Sequence, residues 1–240
     1  RKNAVVYTID NVIIGNGVGG QRERIVDLAK YVASSSMPGR FLFFMDADFD
    51  RVTQRILPAN IILTDFRDLE SYGLVDECLE TLCRDQFALP NGAVDELRDL
   101  IEGVGRPLAA ARVASHRHDL RLPFQAVLER DGGKRFTAKT GPGARRVLDM
   151  HRLVSGLLAH GKRMSDLNRV THLAGAEVAD LATRDLKQVV HGKDLSAMLS
   201  WYFNTTLDVA QALLFGAIYA DLPHLRLLPG LGHADTWVRR

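Results

Sequence analysis

The run RFLFFMDADFD is the feature that most limits how this chain can fold: five apolar residues, Phe41 to Met45, lead straight into Asp46, Asp48 and Asp50. A continuous apolar run this short has the pattern of a strand buried on both faces, the usual situation in a parallel sheet covered by helices. A second such run, NIILTD from Asn60 to Asp65, follows it. Upstream, residues 3–9 and 12–14 are rich in β-branched and aromatic types and end at GNGVGG, Gly15 to Gly20. Ile25, Leu28, Ala29 and Val32 then recur at helical spacing until Met37, Pro38 and Gly39 break the pattern. Strand, helix, strand, connection, strand predicts an α/β fold with a mainly parallel sheet, right-handed crossovers and flanking helices.

Beyond about Leu74 the apolar spacing turns helical in LVDECLETLCRD, AVDELRDLIEGV and LAAARVASHRHDL. A short β excursion is expected at 135–143, with helices in ARRVLDMHRLVSGLLAHG, SDLNRVTHLAGAEVADLATRDLKQVV and LDVAQALLFGAIYA. Ser165 and Asp208 are placed to help start two of these. The expected layout is an α/β domain over residues 1–104 and a mainly helical, partly basic extension over 105–240. Composition agrees with folded domains: of 240 residues, 46% are hydrophobic and 25% charged, which excludes intrinsic disorder as the default. The longest apolar runs fall well short of the roughly 18 residues a membrane span needs. Cys78 and Cys83 lie five apart with no second metal-type pair, so neither a disulfide scaffold nor a zinc ribbon is indicated, and a reducing cytoplasm is the expected location.

The net charge of +2 conceals a partition. Residues 1–105 hold 11 Lys+Arg against 17 Asp+Glu, residues 106–163 hold 13 against 4, and residues 164–240 hold 7 against 8. The middle segment is suited to a polyanion, whereas the acidic first part accepts one only through a cation. Nucleic acid with a divalent metal satisfies both. The bland alternative is that these arginines lie on solvated faces or pair with acids of the same chain.

In an extended chain alternate side chains share a face, so D-x-D-x-D would gather Asp46, Asp48 and Asp50 at the carboxyl end of a strand, where open α/β sheets place ligands. Three carboxylates there either stay solvated, raise one pKa, or hold a hard cation such as Mg²⁺. An acidic turn capping its own backbone is the alternative. An EF-hand loop from Asp46 fails, because Arg51 and Leu57 stand where Gly and Glu are required. A haloacid-dehalogenase-type phosphatase shares only the D-x-D. Gly15, Gly17 and Gly20 also satisfy G-x-G-x-x-G, with Asp46 ending the next strand, which makes a dinucleotide-binding Rossmann-type protein an alternative reading. Gln21, Arg22, Glu23 and Arg24 do not suit it, because that helix normally opens with small apolar residues.

Taken together, Gly15–Val32, FFMDADFD, ILTDFRDLESYGL (Ile62–Leu74) and HGKDLSAMLSWYF (His191–Phe203) resemble the bacterial TOPRIM-related domain-of-unknown-function family found beside ABC-type ATPases in antiphage defence systems. The resemblance implies a TOPRIM-like α/β fold and a metal-dependent nuclease cleaving phosphodiester bonds of DNA or RNA with Mg²⁺ or Mn²⁺. It makes Asp46 and Asp48 metal ligands with Asp50 beside them, and implies an ABC-type ATPase partner; homo-oligomerisation is compatible with it. It also places a first strand, and the glutamate that moves protons in this chemistry, before Arg1, since Asp10 is poorly placed for that role. Glu70, in an acidic group with Asp65 and Asp68, is expected near the metal or as a cap with Ser71. Lys193 in HGKDL is expected to reach a phosphate, or to be plain surface. The remaining alternative is a non-catalytic module that docks on the ATPase. The dispersed histidines give no metal-binding spacing, and Trp201, Tyr202 and Phe203 are expected in the core.

Overall fold

A computed structural model describes residues 5, 20–35, 40–90, 92–128, 133–139 and 146–239. Their contacts divide the chain into two units, Arg1–Phe66 with Leu222–Arg240, and Arg67–Asp221. The strands expected at 3–14, and Gly15 and Gly17 of the glycine-rich turn, lie outside the described residues.

In the first unit α1, Gln21–Ala33, follows Gly20 and buries Val26, Ala29 and Val32, a three-residue spacing that keeps one face of the helix inward. β1, Phe43–Met45, leads through a turn to α2, Asp50–Thr53, which ends where Gln54 takes a left-handed conformation (φ 54°). β2, Ile61–Leu63, pairs parallel to β1 with Phe43 opposite Ile61, Phe44 opposite Ile62 and Met45 opposite Leu63. The structure is therefore α/β, but among the described residues the parallel sheet has two strands and helix predominates. β1 is not covered on both faces: Met45 is buried while Phe44 is 37% exposed. Continuous hydrophobicity alone could not distinguish a central strand from a short one with one open face.

The second unit opens with a 3-10 turn, Glu70–Leu74, then α3, Asp76–Glu80, which widens into a π turn at Thr81–Gln86. α4, Ala93–Leu100, passes through a second π turn, Ile101–Gly105, into α5, Arg106–Arg117. Pro107 stands at the start of α5; it has no N–H to give and its ring crowds the preceding turn, which accounts for the widening there. α6, Phe124–Leu128, precedes a 3-10 turn, Lys134–Phe136, and a hairpin of β3, Thr137–Lys139, with β4, Arg146–Leu148. The expected β excursion thus acquires its partner from residues expected to be helical. Then follow α7, Met150–His160, α8, Leu167–Leu181, α9, Leu186–Val189, α10, Gly192–Tyr202, and α11, Leu207–Ala220. The first unit is completed by α12, Leu222–Leu225, and α13, Pro229–Arg239.

The core of the second unit forms around α5, whose Leu108, Ala109, Ala110, Ala111, Val113 and Ala114 are all buried. Its alanines let α8 approach closely, and Val170, Ala174 and Leu181 meet them while Leu153, Val154 and Leu157 of α7 close the other side. Each such leucine contributes about 2 kcal/mol on leaving water. α11 packs on α10 and on the opening 3-10 turn, where a Cβ on Gly73 would stand 2.1 Å from Leu214 Cδ1; only glycine leaves that space. Residue 104, where the composition changes, lies within this unit, inside the continuous run from α4 to α5. No helix among the described residues is long and apolar enough to cross a membrane.

Candidate functional site

The turn after β1 is built by the ends of both parallel strands. Ala47 N–H donates to Thr64 Oγ1 (2.8 Å), and that hydroxyl donates to Phe66 O (2.7 Å), so one buried threonine ties the carboxyl ends of β1 and β2 together. From α1, Arg22 donates to Asp46 O (2.6 Å) and Ala47 O (3.2 Å) and pairs with the Asp50 carboxylate. Arg55 stands 3.9 Å from the other Asp50 oxygen, and Arg51 donates to Thr64 O at 2.6 Å. Each of these cations leans on the backbone or on Asp50, fixing the turn from beneath.

Because the strand stops at Met45, the alternation that would put three aspartates on one face does not persist. Asp50 N–H donates to Ala47 O (2.9 Å), closing the turn, and Asp48 sits in the left-handed region with φ 45°, a conformation aspartate tolerates better than most residues. The three aspartates therefore differ in burial. Asp46 is exposed, Asp48 half-buried, and Asp50 only 6% exposed with its oxygens facing Arg22 and Arg55. The oxygens of Asp50, expected beside the metal, serve a buried ion pair. Asp65, at the end of β2, accepts from Gly230 N (2.6 Å) and Leu231 N (3.1 Å), at the positive end of the α13 dipole.

Glu70 and Lys193 belong to the second unit, whereas Asp46, Asp48 and Asp50 belong to the first. Asp68 caps here: its Oδ1 accepts from Ser71 N (3.0 Å) and Ser71 Oγ (2.6 Å), and its Oδ2 from Gly192 N (2.8 Å) at the start of α10. Gly192 lies so close that a Cβ there would stand 2.5 Å from Glu70 Cβ. Arg67, 1% exposed, donates its backbone N–H to Lys187 O (2.9 Å) and Nη1 to Val189 O (2.5 Å). Thus D-x-E-S and HGKDL meet as a structural joint.

Within HGKDL, His191 is the N-cap, its Nδ1 accepting from Lys193 N (3.1 Å). Burial, with Arg112 and Arg67 adding to it, pushes the imidazole pKa down to about 4 against the opposing pull of Asp194 and Asp68. Asp194 forms a two-pronged pair with Arg112 (Nε–Oδ2 and Nη2–Oδ1, both 2.7 Å), and that guanidinium lies 4.6 Å over the Phe124 ring. Lys193 is the residue of this motif that is exposed. The sequence reading missed Arg22, Thr64, Asp68, Arg112 and Asp194. Asp68, three residues before Ser71, carried a capping signal; the partners of Arg22 and Arg112 lie far along the chain and left none.

A cleft of about 380 Å³ in the second unit, lined by Asp76, Arg98, Asp99, Glu102, Arg106 and Lys187 among others, was also not anticipated. Its arginines are engaged at home: Arg98 with Asp76 (2.8 Å), Arg106 with Glu102 (2.6 Å).

The donor chemistry of the acidic turn can be weighed against a divalent ion. Among the described residues, no group of three or more His, Cys, Asp or Glu side chains is gathered as a metal cage. Mg²⁺ does not require one: it commonly takes one or two carboxylates and completes its octahedron with water and phosphate oxygens. Asp46 and Asp48 fit that demand, and Asp50 does not. Compared with protein-family models, curated proteins and solved structures, the chain shows no significant match.

Proposed function

We propose that this chain is a TOPRIM-like, metal-dependent nuclease in which Asp46 and Asp48 hold Mg²⁺ or Mn²⁺ against a phosphodiester, working with an ATPase partner in antiphage defence. The observation that carries the reading is the position of the pair: an exposed and a half-buried aspartate at the carboxyl end of a parallel strand pair, on a turn that Arg22, Asp50 and Thr64 hold in place. A divalent ion there supplies charge stabilisation to a phosphoryl oxygen. Arg22 and the Asp50 carboxylate hold the turn backbone, so the two ligands are positioned before substrate arrives. Thr64 keeps the ends of β1 and β2 together, which fixes the turn relative to the sheet edge. Glu70 and Lys193 take no part in this assignment.

The test uses the full chain with end-labelled RNA and DNA, in Mg²⁺ and in Mn²⁺. Asparagine is the replacement of choice because it tolerates the left-handed backbone at residue 48. Cleavage should fall at least about 100-fold in Asp46→Asn and Asp48→Asn, the scale expected for losing electrostatic stabilisation of a transition state. Calorimetric uptake of Mn²⁺ should fall with it. Equal cleavage by the double variant and the parent removes the catalytic assignment.

A second reading, a non-catalytic module docking on its partner, draws on α11, which leaves Val209, Phe215 and Tyr219 exposed on an apolar helix. It predicts no metal-dependent cleavage by the parent and an ATPase complex that survives loss of both aspartates.

A further inference from the structure

The basic middle segment does not remain uniformly basic once folded. Arg106 pairs with Glu102, Arg112 with Asp194, Arg117 with Glu177 and Asp180, Arg121 with Asp119, and Arg163 with Asp166. These guanidiniums are neutralised by acids of the same chain. Lys134, Lys139, Arg146 and Arg152 are different: among the described residues none has a carboxylate within ion-pair reach. All four belong to the β3–β4 hairpin, the turn before it and the first turn of α7.

Lys139 and Arg146 are direct cross-strand partners in the hairpin register. Like charges placed opposite each other destabilise an antiparallel pair, and no acid lies beside these two in the described strands to relieve it. Among the described residues the carboxylate nearest to them in sequence, Asp149, accepts from Arg152 N (3.0 Å) and so caps α7. Arg146 is oriented by a neutral group instead, Nη1 donating to Thr137 Oγ1 at 2.7 Å. The remaining guanidinium donors stay available in a fixed fork of the kind that matches phosphate. At the other end of the hairpin Asp149 N–H donates to Phe136 O (2.8 Å), which ties the turn bearing Lys134 to the start of α7 and Arg152. Two cations therefore mark the base and two the outer end.

We propose that this hairpin is a polynucleotide-binding wing whose four cations contact successive backbone phosphates. β3, Thr137–Lys139, spans about 7 Å, a length over which one nucleic-acid strand presents about two charges. Spread cations of this kind suit a repeating anion better than a single phosphate. The described residues of the hairpin and of the α7 start expose no large apolar side chain, whereas membrane-surface elements combine basic groups with apolar anchors. The wing shares its ligand with the nuclease reading but concerns binding in the second unit, and its test is independent of cleavage.

The experiment measures fluorescence anisotropy of labelled 20-mer single-stranded RNA, single-stranded DNA and duplex DNA on the full chain, in EDTA, across a KCl series. The proteins are the parent, Lys139→Gln/Arg146→Gln, and Asp46→Asn/Asp48→Asn. For single strands the parent should lose affinity with salt at a logarithmic slope of about −3, and the glutamine pair should flatten that slope by about 1.4. Its affinity at 0.1 M KCl should fall at least about tenfold, with circular dichroism unchanged and the melting temperature not lowered. The aspartate variant should bind as the parent does, so a failed nuclease assignment leaves this result standing. Equal affinities and slopes for parent and glutamine pair overturn the wing. So does binding to vesicles of anionic phospholipid with no binding to any polynucleotide. Should the glutamine pair unfold, Arg146→Lys and Arg152→Gln take its place; an unchanged slope in Arg152→Gln counts against the proposal equally.

Discussion

Asp46 and Asp50 are four residues apart and chemically identical, yet the fold gives them opposite environments. Asp50 exchanges its hydration for Arg22 and Arg55, while Asp46 stays exposed and lends Arg22 its backbone carbonyl. Removing one partner of a buried pair leaves the other charge uncompensated, which costs about 3 kcal/mol where the pair is well shielded and less where, as here, the arginine is partly exposed. Asp50→Asn should therefore lower unfolding stability by about 2 kcal/mol, with Asp46→Asn costing under about 1 kcal/mol, read from urea midpoints at constant slope. Comparable losses in both would mean that Asp50 is not the residue that secures the turn. The acidic cluster was legible in the sequence as a turn at a strand end. The division of labour within it was not, because the spacing argument assumes an extended chain and the strand ends at Met45, with Asp48 in the left-handed region.

At the scale of elements, periodicity found α1, α4, α5, α8 and α11, since each buries a stripe of residues three and four apart. It misplaced their ends. Ser165 lies inside a 3-10 turn rather than at a cap, and Thr206, accepting from Val209 N (3.3 Å), starts α11 in place of Asp208. β4 was hidden inside a helical pattern because its pairing with β3, not its own three residues, makes it a strand. α10 has a cap that titrates. His191 accepts through Nδ1, so the cap requires the neutral ring. The unfolded chain takes up this proton near 6.5 and the fold only near 4, so the unfolded state binds more protons between those values. Stability from this residue is complete above about 6.5 and is lost as pH falls towards about 4. The loss amounts to about 3 kcal/mol if the whole shift is realised. His191→Asn keeps a capping acceptor without the titration, and urea denaturation at pH 7, 5.5 and 4 should show a shallower decline than the parent. Parallel curves would exclude His191 as the cause.

For the whole molecule, the sequence separates an α/β beginning from a helical remainder near residue 104, where composition changes. The contacts change at Phe66 and again at Asp221, a boundary set by pairings between distant segments that composition does not record. The second unit is continuous in sequence and holds most of the large buried side chains, including Leu79, Leu97, Leu108, Leu153, Leu157 and Leu181. Residues 67–221 expressed alone should accordingly melt cooperatively with a helical circular dichroism spectrum. In the full chain, amide exchange should be slower in α5 and α8 than in β1 and β2. A non-cooperative fragment with exchange uniform across both units would show instead that the chain is stabilised as one body.

The anchoring of α13 has a consequence for biosynthesis. Asp65 receives the Gly230 and Leu231 amides across a separation of 165 residues in the first of these contacts. A ribosome has delivered Asp65 long before the helix it anchors exists, so the amino-terminal unit waits, incomplete, while the intervening segment emerges and can fold. Domains usually mature in the order they are translated; here the unit that holds Asp65 is finished after the one translated within it.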